Sequence, residues 1–593
     1  MEKNKRKNTF VEKILNAPAG SIVYVEPDIV LSHDNSARIR KLFEKMRGRK
    51  VLHPERLVVV LDRKMTGTTD ELIRDYNSIH DFMEEQEVEH FFDCDKGICH
   101  QVLAGFIRQG LVVVGSDSHT CTAGAFNCFA VGLNKTETAF LWKNGKIWLR
   151  VPETVKITLS GKFRAGVYAK DLALWIMGML KEENIDYQSV EYHGEGVRTL
   201  TIADRMTIAN ISAEMGVNNS VFPPDDLLAD YLGDYAVQGI WADENAYYTK
   251  EFHIDLGKVF PLVMATYPED EVKGIGEVSE ITIQEGLIGA CSSGRIEDLR
   301  IVARILNGKQ LAEGFQLSVV PASHDIYIQA IKEGLIHDII KAGAAVLGSS
   351  CGPCLGSSHM LGAETKRFIS TTNSHSMRRM ADVGVEKYIA SPATVAMTAL
   401  RGKLCAEVAY PEEIFEYWSV PAEAITVSVW DDRKKENVWN YADIDHISAD
   451  QLFPERKTYN ISIESVEAMK PYLLSGLDET FARRVQTGDI ILAGEGFGRG
   501  RLIKHAVIGL VWAGVTAIIA KSVNRSFFRM AVNYGLWIII APEILENYRP
   551  GDKITLELEE AIIKMNGKTY TLPAFDLVFT EIIRKKGIMH LYE

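Results

Sequence analysis

The sequence predicts an α/β protein on mainly parallel sheets, with a large N-terminal body and a smaller C-terminal domain. Three observations carry this. Apolar, β-branched runs such as RLVVVLD (56–62), GLVVVGSD (110–117), GAAVLGSS (343–350) and AGVTAIIAKS (513–522) have the length and composition of buried strands. Between them lie stretches with helical periodicity, among them RIEDLRIVARIL (295–306) and HDIYIQAIKEGL (324–335); such alternation builds parallel sheets covered on both faces. The 593 residues exceed what one core holds and suggest roughly three to five domains.

Composition narrows the function. Hydrophobic residues make up 46% and charged residues 24%, the balance of an ordinary globular chain. A formal net charge of −13 argues against a nucleic-acid partner, which calls for a basic surface. No apolar run approaches the roughly 18 to 20 residues that span a bilayer, so no membrane partner is expected. The start, MEKNKRKNTF, lacks the apolar core of a secretory signal. Eight cysteines in so long a chain do not read as a disulfide framework. A reducing cytoplasm is the expected setting. There is no low-complexity segment and no repeat. The boundary falls near 406–430, where YPEEIFEYWSVPAEA leads into WDDRKKENVWNY; the expected parts are a body at 1–410, a linker at 411–430 and a C-terminal domain at 431–593.

Chemistry-bearing residues gather after the strand-like runs. GICHQV (97–102) carries His100, and GSDSHTCTAG (115–124) carries Asp117, Ser118 and His119 in a glycine-bounded loop. EYHGEGVRTLTIADRMTIANISAEMG (191–216) places Asn210 and Glu214 four apart, on one face of a helix. In EGLIGACSSGRIEDLRIVARIL, Cys291 follows the strand GLIGA and a helix starts near Arg295. GSSCGPCLG (348–356) puts Cys351 and Cys354 after the strand GAAVLG, and STTNSHSMRRM (370–380) supplies Asn373, His375, Arg378 and Arg379. All three cysteines are thus expected past the carboxyl ends of parallel strands, where open α/β sheets bind ligands.

Each residue also has a plain reading. A lone Cys at a strand end is usually a small buried apolar residue. A single CxxC is equally a zinc site, a redox pair or incidental, but structural zinc wants a fourth Cys or His, and the chain has no second CxxC. His100 reads as a satisfied core histidine, Glu214 as a solvated helix residue, and the arginine pair as surface. Three thiolates around a cuboidal iron–sulfur cluster would leave one iron without a protein ligand.

Taken together, DSHT at 117–120, the cysteine of GACSSGRIEDLR, the CGPC pair and TTN at 371–373 resemble the aconitase and isopropylmalate dehydratase family, from about residue 20 to about residue 590. The segments GDIILAGEGFGRG (488–500) and AKSVNRSFFRMAVNYGL (520–536) resemble the family's small swivel domain or subunit, fused here to the large part. The resemblance implies three α/β domains around a [4Fe-4S] cluster and a fourth that closes over the cleft. It implies a hydro-lyase in which the open iron acts as a Lewis acid on a small anionic hydroxy acid. Carried over by position, Cys291, Cys351 and Cys354 would hold the cluster. Asp117 and His119, with His100, Glu214 and Asp62, would serve proton transfer and bound water. Ser118, Asn210, Asn373, His375, Arg379 and Arg525 would bind substrate or hold cluster ligands.

The departures from the family pattern are specific. Asp62 is followed by Arg63 where members carry Asp-His, and Asn-Arg-Asn reads Asn373-Ser374-His375. The swivel loop, normally Gly-Ser-Ser-Arg-Glu-His, reads Gly500-Arg501-Leu502-Ile503-Lys504-His505, so the serine base and an arginine clamp are replaced. Three readings stand. One is a hydro-lyase on a substrate other than citrate or isopropylmalate, using Arg63, Arg501, Lys504, His375 or His119 in a rebuilt site, with His119, His375, Lys504 and His505 as the candidates for moving the proton. Another is an enzyme whose open iron holds sulfide or a similar small ligand. The third is a non-catalytic iron or redox sensor. Whether the protein is a monomer or a homo-oligomer stays open.

Overall fold

The computed structural model describes residues 7–62, 70–181, 183, 185–266, 270–355, 365–373, 385–408, 434–458, 461, 466–500, 503–558, 560–572 and 576–591. The chain divides into two compact units, Met1–Val420 and Pro421–Glu593. Each is α/β.

Described residues of the first unit form three sheets dominated by parallel pairing. One runs His90–Phe92, Leu57–Val60, Ile29–Ser32, Val112–Gly115, Phe129–Gly132, parallel throughout. A second runs Asn219–Val221, Ser189–His193, Thr154–Ser160, Lys250–Asp255, also parallel. The widest holds Glu386–Ala390, Arg367–Ser370, Glu285–Gly289, Gln316–Val320 and Ala345–Val346 in parallel, with Leu262–Ala265 and Glu271–Gly274 antiparallel at one edge. Leu57–Val60, Val112–Gly115 and Glu285–Gly289 are buried at every position, as strands covered on both faces must be.

The run GAAVLGSS yields only the two paired residues Ala345–Val346 before the chain turns toward Cys351. The helix carrying Asn210 ends at Ser212, and Glu214 lies in the 3₁₀ turn Ala213–Met215. The expected single helical face is therefore a helix end followed by a tighter turn. In the second unit, Val438–Tyr441, Ile490–Ala493, Ala517–Ala520 and Trp537–Ile540 pair in parallel, and Ile554–Glu557, Ile562–Met565 and Lys568–Thr571 make a separate antiparallel sheet. Among the described residues no helix is long and apolar enough to cross a membrane.

Candidate active site

The chain leaves the strand Val112–Gly115 through Asp117, whose carboxylate caps the 3₁₀ stretch Ser118–Phe126 by accepting from the His119 N–H at 2.8 Å. Its Oδ1 also lies 3.0 Å from His100 Nε2 and 3.3 Å from His119 Nδ1. The far nitrogen of His119, Nε2, is 3.2 Å from Glu214 Oε1. One carboxylate oxygen thus orients two imidazoles, and a second carboxylate holds the other end of one of them. His100, His119 and Glu214 expose 5, 9 and 3% of their side chains. Burial alone pulls the His119 imidazolium down, but bonds to Asp117 and Glu214 and the charge at Cys291 outweigh it and hold the group well above the usual histidine value. Ser118 opens the 3₁₀ stretch and is exposed.

Sulfur enters from the widest sheet. After the strand Glu285–Gly289 the backbone turns through Gly289 at φ 127° and Ala290 at φ 64°. A Cβ on Gly289 would lie 2.0 Å from the Val320 carbonyl oxygen, so only glycine fits there. This turn places Cys291 in the short helix Ala290–Ser293. Cys291 and Cys354 are 6 and 1% exposed and share a small buried cluster with Ile98 and Ala290. Burial pushes the Cys291 thiol up, the His119 charge pulls it back, and the Cys354 thiol adds to the rise. The Cys351 N–H donates to the Asp62 carbonyl at 2.7 Å, while Asp62 Oδ2 accepts from the Cys99 N–H at 2.8 Å. Asp62 therefore ties the CGPC loop to the end of the strand Leu57–Val60.

Two amides join the halves. Asn373, just past the strand Arg367–Ser370, sets its Nδ2 2.8 Å from His119 Nε2, 3.4 Å from Asn210 Oδ1 and 3.9 Å from Cys291 Sγ. Asn210 Oδ1 lies 3.8 Å from Cys291 Sγ, and its Nδ2 donates to Thr122 Oγ1 at 2.9 Å.

The structure therefore brings Asp62, His100, Asp117, His119, Asn210, Glu214, Cys291, Cys351, Cys354 and Asn373 into one connected region of the first unit. Lys504 and His505 belong to the helix Ile503–Trp512 of the second unit. There His505 Nε2 lies 3.0 Å from the Ile461 carbonyl and its ring stacks on Phe453, while Lys504 sits 5.9 Å from the Tyr534 ring centroid. Arg525 opens the helix Arg525–Asn533 of the same unit. Arg63, His375, Arg378, Arg379 and Arg501 lie outside the described residues.

Sequence patterning alone passes over His33 and Lys170. His33 follows the strand Ile29–Ser32, is 1% exposed, and its Nε2 stands 3.8 Å from Asp117 Oδ2. It groups with Asp34 and Asp62 within 4.8 Å. The available signal was the polar SHDN directly after a buried strand, the same arrangement that singles out Asp117. Lys170, in YAKDLALWIMG, has no sequence signal; only its burial against Ser292 and Thr371 draws attention.

The residues present fit a cluster held by three thiolates. Two of the three sulfurs are buried, amide groups flank Cys291, and Asn373 Oδ1 is buried without a hydrogen-bond partner among the described residues. Soft sulfur donors of this number suit iron–sulfur ligation, and the nearby imidazoles are already engaged by carboxylates.

Fold and site together define an α/β enzyme in which sulfur donors meet a histidine–carboxylate network at strand ends. A model of the aconitase family (aconitate hydratase) matches residues 7–276 and 265–402. The 3-isopropylmalate dehydratase large subunit 1 of Methanopyrus kandleri is 37% identical over 408 residues, covering 67% of this chain and 98% of its own length. A probable methanogen homoaconitase large subunit of Methanosarcina mazei is 36% identical over 383 residues, covering 64% of this chain and 97% of its own. A solved structure of a 3-isopropylmalate dehydratase from Methanocaldococcus jannaschii is 29% identical, covering 26% of this chain and 89% of its own, with a TM-score of 0.24. The chain belongs to the aconitase family and is a hydro-lyase.

Proposed function

We propose that the protein adds or removes water on an anionic hydroxy acid whose acidic groups are spaced differently from those of citrate or isopropylmalate, with a [4Fe-4S] cluster on Cys291, Cys351 and Cys354. The observation that carries this is the link from Asp117 and Glu214 through His119 and Asn373 to Cys291. A cluster held by three cysteines supplies a Lewis-acidic iron with an open coordination position.

The chain's own groups do the rest. His119, kept protonated by its two carboxylates, offers a proton from a buried, oriented imidazolium. His100 shares the Asp117 oxygen and is positioned to exchange protons with the same network. Asn210 lies beside the Cys291 sulfur, and Asn373 lies beside both that sulfur and the His119 ring, so both amides line the boundary between the two groups. Residues 431–593 are read as the counterpart of the family's small part, carried on the same chain, with Arg501 and Arg525 as anion-binding groups.

The substrate reading rests on two departures, Ser374 and Ile503, at positions where members carry carboxylate-binding arginines. Each charged hydrogen bond contributes roughly 1.5 to 3 kcal/mol, so citrate, isocitrate and isopropylmalate should be poorer by about two to four orders of magnitude in kcat/KM. Anaerobic full-length protein assayed for water addition and loss across a panel of unsaturated and hydroxy acids tests this. Citrate, isocitrate or isopropylmalate turned over as well as the best member of the panel would sink the substrate reading. Arg501→Ser checks the loop: unchanged turnover of the native substrate removes Arg501 from the site.

A further inference from the structure

We infer that Lys170 is the buried counter-charge of the thiolate-held cluster, a burden to the empty protein and a stabilising group in the loaded one; this rests on the cluster reading above. Lys170 lies in the first turn of the helix Ala169–Leu180 and is 1% exposed. Its Nζ donates to the Thr371 carbonyl at 2.7 Å and is 3.1 Å from Ser292 Oγ. Ser292 Oγ donates to the same Thr371 carbonyl at 2.7 Å, and Thr371 Oγ1 accepts from the Gly289 N–H at 2.8 Å. The ammonium thus sits where the loop bearing Cys291 meets the loop bearing Asn373.

What it lacks is an ordinary ion pair. Among the described residues no carboxylate oxygen comes within 4.0 Å of Nζ. The charged groups around it have other tasks. Asp171 accepts from the backbone N–H groups of Tyr168 and Leu262, and burial pushes its carboxyl up to about 7. Asp298 caps Arg295 through a 3.0 Å bond from the Arg295 N–H. The Arg295 guanidinium, itself 4% exposed, donates to the Cys291 carbonyl at 2.8 Å and to Thr207 Oγ1 at 3.1 Å. Burial pulls the Lys170 ammonium down to about 8, and among the influences that push back the Cys291 sulfur is the largest.

A buried ammonium without an anion is strongly unfavourable, and so are thiolates gathered in one dry place. Each relieves the other when the cluster is present. Protonated thiols in the empty protein give Lys170 no such relief. The prediction is a reversal of sign: removing the charge should help or leave unchanged the empty protein and harm the loaded one. A lysine that merely packs would harm both.

The experiment compares full-length wild type with Lys170→Met, Lys170→Gln and Lys170→Arg, all prepared anaerobically. It reads iron and sulfide per chain, the decay of the cluster's visible absorbance under an iron chelator, and the melting temperature of each protein stripped of iron. Lys170→Met and Lys170→Gln should lose the cluster about tenfold faster or more, with stripped proteins that melt no lower than wild type. Lys170→Arg should recover most of the retention. Equal retention in Lys170→Met, a matching loss of stability in the stripped form, or failure of both neutral variants to fold would each overturn the inference. Wild type without iron would instead overturn the cluster reading on which it rests, and the inference with it.

Discussion

Two sheets of the first unit, one parallel throughout and one parallel but for two edge strands, present different chemistry at the same architectural position. Past the carboxyl ends of Ile29–Ser32, Leu57–Val60 and Val112–Gly115 stand His33, Asp34, Asp62 and Asp117. Past those of Glu285–Gly289, Ala345–Val346 and Arg367–Ser370 stand Cys291, Cys351, Cys354 and Asn373. In the first set Asp117 holds the imidazoles of His100 and His119 at 3.0 and 3.3 Å. The second offers soft sulfur in a largely apolar setting. Parallel strands end in loops free of ladder constraints, so each sheet can carry whichever side chains its loops hold. The difference teaches that neither sheet alone makes the site; it exists where Asn373 reaches His119 and the Cys351 N–H reaches Asp62.

The comparison breaks most visibly on the sulfur side. Cys354→Ser should take iron content from about four per chain to near zero, read by iron and sulfide analysis after anaerobic preparation. Zinc in place of iron in the wild type would refute the assignment.

On the proton side, Asp117→Asn should leave iron content unchanged while turnover falls by about 10² to 10⁴-fold, the range of a lost acid–base network. The variant also removes a carboxylate that raises His119, so any rate limb set by that group should move to lower pH. Loss of iron in Asp117→Asn would show that the two chemistries are not separable.

A smaller effect is expected in stability. Asp171 is buried with its carboxyl raised to about 7, above the ordinary value of about 4. A raised acid favours folding when protonated, fully below its unfolded value, and loses that contribution as pH climbs through the folded value. Wild type should therefore gain on Asp171→Asn as pH falls from 7 toward 4, by up to about 1.4 kcal/mol per pH unit within that window. A pH-independent difference in urea midpoints between the two proteins would contradict it. Smallest of all, Cys405→Ser, at a half-buried position, should leave iron content intact and shift stability by no more than about 0.5 kcal/mol.

The α/β class was legible because buried parallel strands carry runs of Val and Ile that no polar face interrupts, as in Leu57–Val60. Cys291 was legible because it stands two positions past such a run, Glu285–Gly289; Cys351 and Cys354 lie five and eight positions past the short pairing Ala345–Val346 and were marked by their CGPC spacing instead. His33 was less so: a single histidine after a strand has no distinguishing spacing, and its meaning comes from Asp117, 84 residues away in sequence but 3.8 Å away in space. The short pairing of Ala345–Val346 and the helix end at Ser212 also escaped the pattern, since both depend on what neighbouring elements offer as partners.

By itself the sequence determined the strand-and-helix alternation, the acidic balance, and the identity of the thiols, imidazoles and carboxylates, because these are set by local composition and short spacing. Only the tertiary structure decided which of them meet. Asn373 lies 254 positions from His119, and Lys170 lies 201 from Thr371. Such contacts are fixed by how sheets and helices pack, not by any periodicity of the chain. For the same reason only the fold revealed a buried ammonium with no carboxylate beside it among the described residues: burial belongs to the packed interior, and a lysine in a linear sequence carries no mark of it.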